Sequence, residues 1–175
     1  IHPLLAAVPA PRRVLVIGGG DGLGVRELLK DPRVERIVLV DIDPAMTRLA
    51  RSLPPLVALN GDALADPRVR VVHADGYRHL IEAEEHYDAV VLDLPDPRTE
   101  SIARLYSREF YARLLRRLAP GGALVTQAGS PYYTRESYWC VVATLRAAGL
   151  RPVPYRVNVP AFGEWGFVLA ARAPT

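Results

Sequence analysis

Apolar residues fall into short, nearly continuous runs that alternate with stretches where they recur every third or fourth position. The runs cover Arg13–Gly18, Arg36–Asp41, Val69–His73, Asp88–Asp93 and Ala123–Gln127, and runs of this length predict strands buried on both faces. Between them, the helical spacing predicts helices at Gly22–Lys30, Pro44–Ser52, Gly76–Ala83, Ser107–Leu118 and Thr134–Ala148. Asp43-Pro44 supplies an N-cap and a proline at the first helical position, while Pro120-Gly121-Gly122 stops the helix before it. The opening "HPLLAAV" reads as helix, and Pro54-Pro55 and "LPDPR" read as loops. Regular alternation of strand and helix predicts an α/β, doubly wound, Rossmann-like fold, with a mostly parallel sheet and helices on both faces. The tail departs from this: "RPVPYRVNVP" and "WGFVLAARA" have no helix between them, which predicts an antiparallel pair closing one edge.

Length and composition narrow the picture. The 175 residues, half of them hydrophobic, suit one domain, 1–175. No apolar run approaches the roughly 20 residues of a membrane span, and the start lacks the features of a signal peptide. The chain begins at Ile1 without a Met, inside a helix-like stretch, so it is expected to be cut from something longer. A single cysteine, Cys140, excludes an internal disulfide and zinc-knuckle spacing and points to a reduced, cytoplasmic compartment. Its apolar neighbours "YWCVVATL" predict a buried structural thiol, and Trp139 and Trp165 read as core. The net charge is +3, but Lys30 is the one lysine and the arginines are scattered, so no nucleic-acid partner is expected.

Ligands of doubly wound sheets sit over the C-terminal strand ends where the strand order reverses. Carboxylates gather there: Asp21 after the first strand, Asp41 and Asp43 at the second, Asp75 after the third, Asp93 and Asp96 after the fourth. Asp43 reads best as a helix cap. Gly18, Gly19, Gly20 and Gly22 allow a ligand close to the backbone, and Asp41 lies at the separation where an acid meets a ribose hydroxyl. Asp21 would repel the pyrophosphate of a dinucleotide, so the expected ligand is a nucleoside that carries positive charge, such as the sulfonium of S-adenosylmethionine or its decarboxylated form. The decarboxylated form would offer Asp21 a propylamine cation for a charge-assisted bond. In "YDAVVLDLPDP" (Tyr87–Pro97), Asp93 and Asp96 could hold a cationic amine, and one of them could take the proton that an ammonium loses before it attacks carbon. His73 and Tyr106 read as packing or surface residues, and His2, His73, His79 and His86 show no metal-ligand spacing, so no metal is expected.

At these residues the sequence resembles the spermidine synthase family of polyamine aminopropyltransferases. The similarity runs from "HPLLAAVPAPRRVLVIGGGDG" through "VLVDIDP", "VVHADGYRHL", "VVLDLPDP" and "LYSREFYARLLRRLAPGGALVTQAGSP" to "VPAFGEWGF". It is nearest to a bacterial branch in which this domain follows an N-terminal membrane domain. The resemblance implies a class I S-adenosylmethionine-dependent methyltransferase-like fold with a seven-stranded sheet. It also implies transfer of an aminopropyl group from decarboxylated S-adenosylmethionine, a co-substrate, to a diamine such as putrescine, giving spermidine and methylthioadenosine. By the same resemblance Gly18, Gly19, Gly20, Asp21, Gly22, Asp41, Ile42, Asp75 and Gly76 bind the donor. Within that set Asp21 holds the aminopropyl end, Asp41 the ribose, and Asp75 with Gly76 the adenine. Asp93 is the base or acceptor anchor, Asp96 helps hold the amine, and Gln127 and Phe162 line the acceptor site. Implied partners are the small-molecule polyamine and nucleoside, a homodimer, and, in the full-length protein, a covalently linked membrane domain that would tether it to the inner membrane. The family's N-terminal β-hairpin and upstream Tyr-His-Glu motif have no counterpart here, Leu94 and Pro95 stand where many members have polar residues, and Phe162 replaces a tyrosine. Two rival readings remain: a methyltransferase using S-adenosylmethionine itself, and a non-catalytic nucleoside- or polyamine-binding domain of a membrane protein.

Overall fold

In the computed structural model, which describes residues 1–161 and 163–172, strands and helices alternate as the pattern predicts. The order is α1 (His2–Ala7), β1 (Arg13–Gly18), α2 (Leu23–Leu29), β2 (Arg36–Asp41), α3 (Pro44–Ser52), α4 (Pro54–Asn60), β3 (Val69–His73) and α5 (Gly76–Glu82). It continues with β4 (Tyr87–Asp93), α6 (Glu100–Ala103), α7 (Arg108–Arg117), β5 (Leu118–Gly129), α8 (Arg135–Ala147), β6 (Leu150–Val159) and β7 (Gly163–Arg172). The strands form one seven-stranded sheet in the order β3-β2-β1-β4-β5-β7-β6. Five strands are parallel, and the β6–β7 hairpin pairs antiparallel with β5, as the tail predicts. The order reverses between β1 and β4, so the crevice for a ligand lies above the ends of those two strands.

Alternate strand residues feed two cores. Leu15, Ile17, Val38, Val40, Val90 and Leu92 pack under α5, α7 and α8, whereas Val14, Val16, Ile37, Leu39, Ala89 and Val91 pack under α1, α2 and α3. This period of two within an unbroken apolar run is the signature of a strand buried on both faces. Among the described residues no helix is long and apolar enough to cross a membrane.

Three expectations need correction. Pro54-Pro55 opens α4 rather than a loop: the prolines occupy the first helical positions, and Gly61, at φ +63°, ends the helix. Cys140 is exposed, and Trp139 is 50% exposed. The helix explains both, because α8 buries Tyr138, Val141, Val142 and Leu145, while the residues between them rotate to the outer face. Trp165 is half-buried rather than core, and its indole belongs to the site described next.

Candidate active site

The glycine loop after β1 is shaped by the carboxylates that close on it. Gly18 stands opposite Asp93 in the β1–β4 register, at φ +81°, and a Cβ there would run into the Asp93 carbonyl oxygen. At Gly20 a Cβ would come within 2.5 Å of Asp41 Oδ2, which instead accepts the Gly20 N–H at 2.8 Å. Asp41 Oδ1 accepts the Asp43 N–H at 2.8 Å, so backbone donors fix this carboxylate at both oxygens. Asp43 itself caps α3, accepting from the Ala45 N–H, as the sequence predicts. Asp21 Oδ1 accepts the Leu23 N–H at 2.9 Å in the first turn of α2.

A cavity of about 290 Å³ opens at the strand ends. Gly18, Gly19, Asp41, Ile42, Asp75, Gly76 and Asp93 from the expected set line it together. Gly20, Asp21 and Gly22, also in the expected set, are not among the residues that line it, although the Asp21 carboxylate is near enough to act on Asp93. Leu94 and Pro95 after β4 line the cavity too, as do Ser101 and Ile102 on α6 and Leu105 on the next turn, three residues that no pattern in the sequence singles out. A larger cavity of about 450 Å³ lies on the outer side of α2, among Arg26, Lys30, Asp62 and Asp66, and gathers none of these strand-end groups.

Asp75 is more committed than expected. Its Oδ1 accepts the Arg78 N–H at 2.9 Å, capping α5, and its Oδ2 pairs with the Arg104 guanidinium at 2.5 Å. Arg104 also lies over the Tyr77 ring at 5.2 Å. Spacing gives no hint of Arg104, which is 29 residues from its partner.

Asp93 remains in contact with solvent, yet its carboxyl is raised above the ordinary carboxylate range. Desolvation in the crevice is the leading cause. The Asp21 carboxylate raises it next, and Asp41 adds to it. Desolvation first, and the two neighbouring acids after it, make ionisation of Asp93 harder and its carboxylate a stronger base.

The other half of the site lies beyond the β4 loop. Asp96 lines a second cavity of about 190 Å³ with Arg98, Tyr106, Gly129, Thr134 and Ser137, and it pairs with Arg98 at 3.6 Å. Gln127 Nε2 donates to the Leu94 carbonyl, and its Oε1 accepts from Trp165 Nε1 at 2.9 Å. Tyr106 goes beyond the packing role expected of it, since its hydroxyl donates to the Pro95 carbonyl at 3.2 Å. Burial pushes its phenol well above the ordinary value, which keeps it a neutral donor. His73 has a structural role, hydrogen-bonded through Nε2 to Thr47 Oγ1 at 2.8 Å. Phe162, expected at the acceptor site, lies outside the described residues.

Comparison with known proteins agrees with the fold. A solved spermidine synthase in complex with the transition state analogue AdoDATO superposes with a TM-score of 0.88 at 25% identity, over 98% of this chain and 58% of that one. The spermidine synthase of Thermotoga maritima shares the fold, with a TM-score of 0.84 at 24% identity, over 98% of this chain and 56% of that one. Polyamine aminopropyltransferase 2 of Ralstonia nicotianae is 53% identical over 98% of this chain and 34% of its own length. Polyamine aminopropyltransferase 1 of Streptomyces coelicolor is 48% identical over 97% of this chain and 32% of its own length. The chain thus spans about a third of the length of the curated relatives it matches. Residues 1–174 match the spermine/spermidine synthase domain, and the chain belongs to that family.

Proposed function

We propose that this domain transfers an aminopropyl group from decarboxylated S-adenosylmethionine to a diamine such as putrescine, releasing methylthioadenosine and spermidine. The observation that carries this reading is the crowding of Asp21, Asp41 and Asp93 around one crevice, with Asp96 in an adjoining cavity. Such a crevice suits a cationic donor and repels phosphates. In this reading Asp41 accepts from the ribose hydroxyls, with Asp75 and Gly76 at the adenine. One oxygen of Asp21 anchors the aminopropyl ammonium through a charge-assisted bond.

Asp96 and Gln127 hold the diamine so that its free nitrogen faces the methylene bonded to sulfur. Asp93 takes the proton from that ammonium. The nitrogen lone pair then forms the new C–N bond, the C–S bond breaks, and its electron pair stays on sulfur as a neutral thioether. The sulfonium is already a good leaving group, so alignment and deprotonation are what the protein supplies. The raised pKa of Asp93 suits it to that task.

The test is calorimetric titration with S-adenosylmethionine, its decarboxylated form and methylthioadenosine, followed by mass spectrometry after putrescine is added. Preference for the decarboxylated donor and appearance of spermidine support the proposal. Preference for S-adenosylmethionine makes the domain a methyltransferase. Tight methylthioadenosine binding with no product under any amine makes it a binding domain.

A further inference from the structure

One buried polar side chain has no part in the proposed chemistry. Asn60, the last residue of α4, is 0% exposed, and its Nδ2 donates to the carbonyl oxygens of Asp21 and Ala50, each at 2.9 Å. Its Oδ1 is buried without a hydrogen-bond partner. An amide that leaves its acceptor unpaired in the interior is costly, and leucine would fill nearly the same space without that cost. What leucine could not do is hold the peptide that follows Asp21.

The surroundings of Asn60 are built around that contact. Gly22, at φ +81°, brings the loop so close that a Cβ would lie 3.1 Å from Leu64 Cγ and 3.4 Å from Asn60 Nδ2. The chain reverses just after Asn60 through Gly61 and Asp62, at φ +63° and +54°, and among the described residues Asp62 is the one non-glycine residue in the left-handed region. Asp21 is thereby gripped twice. Asn60 ties its carbonyl to α3, and the Leu23 N–H holds Oδ1 of its carboxylate. Both contacts restrict the direction in which Oδ2 can point.

We infer that Asn60 is a positioning residue that aims the Asp21 carboxylate at the cationic end of the donor, so that it selects a nucleoside bearing a free ammonium over one without it. This rests on the role proposed for Asp21. Such selectivity acts through one charge-assisted bond, so its loss is expected to cost about tenfold in affinity.

The experiment is calorimetric titration of the wild type, Asn60→Leu, Asp21→Asn and the double variant with decarboxylated S-adenosylmethionine and with methylthioadenosine, alongside thermal unfolding. Asn60→Leu is expected to weaken the decarboxylated donor about tenfold and methylthioadenosine less than about threefold. In the Asp21→Asn background the same substitution should leave the ratio of the two affinities unchanged, because the group it aims is gone. Equal weakening of both ligands by Asn60→Leu, or a persisting change of ratio without the Asp21 carboxylate, overturns the inference. A wild type that binds both ligands equally overturns the role of Asp21 and the inference with it. A wild-type preference that Asn60→Leu leaves intact overturns the inference alone. Should Asn60→Leu fail to fold, Asn60→Ser, too short to bridge Asp21 and Ala50, provides the same comparison.

Discussion

The two halves of the crevice are held by different means. On the donor side, between β1 and β2, carboxylates are fixed by backbone N–H groups of their own or neighbouring loops, as Asp41 is by Gly20 and Asp43. On the acceptor side, beyond β4, side chains hold backbone carbonyls: Gln127 reaches Leu94, and Tyr106 reaches Pro95. Backbone donors are placed once the strands pair, so the donor side is preorganised by the sheet itself. The acceptor loop depends on side chains brought in from β5, β7 and the turn before α7. The lesson is a division of labour: one half is set by the fold, and the other can be retuned by single side-chain changes. Asp93 stands where the halves meet, because its backbone lies in register with Gly18 and its carboxyl feels Asp21 and Asp41.

The largest break is therefore expected at that junction. Asp93→Asn keeps the shape and removes the base, so transfer should fall by about 10²- to 10⁴-fold while methylthioadenosine binding stays within about threefold. Steady-state kinetics with putrescine, set beside calorimetry, check this, and unchanged turnover would remove Asp93 from the chemistry. On the donor side, Gly20→Ala places a methyl against Asp41 Oδ2 and displaces it from the Gly20 N–H. Donor and methylthioadenosine should both bind about tenfold more weakly, with putrescine KM little altered. On the acceptor side, Trp165→Phe removes the donor to Gln127 Oε1 and frees that amide to turn. Putrescine KM is expected to rise about fivefold with donor affinity unchanged. If Gly20→Ala and Trp165→Phe gave the same kinetic pattern, the division into halves would fail.

The same division explains what could be read from the sequence. The donor side follows from short-range patterns: three glycines and an acid after one apolar run, and acids at the ends of the next two. Strands β1, β2 and β3 have the boundaries predicted for them, because runs buried on both faces are unambiguous once turn residues bracket them. The acceptor side joins residues far apart in sequence, 38 positions for Gln127 and Trp165, and no local pattern announces such a pair; a donor-side contact hidden in the same way is Arg104 on Asp75, 29 positions apart. Trp165 reads as core because an indole in a strand ahead of an apolar run looks like packing, and its N–H finds a partner only when β7 pairs with β5. Cys140 misleads for a related reason. Neighbours in sequence are not neighbours on a helix face. At α4 the signals were present, prolines at the start and Gly61 past the end, but paired prolines weigh toward a loop unless the helix is long.

The smallest expected effect concerns stability, and it sharpens the meaning of the junction. Because the folded protein holds the Asp93 pKa above its unfolded value, the fold binds this proton more tightly than the unfolded chain does. Between the ordinary carboxylate pKa and the raised one, the folded state carries more protons, so stability falls as pH rises through that window. Above it, the penalty is fully present. Asp93→Asn removes the ionisation, so the variant should match or exceed the wild type in Tm at neutral pH, by up to about 2 °C, with the gap closing as pH drops through that window. Thermal unfolding of both proteins across pH measures this directly. A variant less stable than wild type at neutral pH would mean that the Asp93 carboxylate holds the β1–β4 crevice together rather than straining it. The crowding of acids would then be a structural device rather than the tension that makes Asp93 a base.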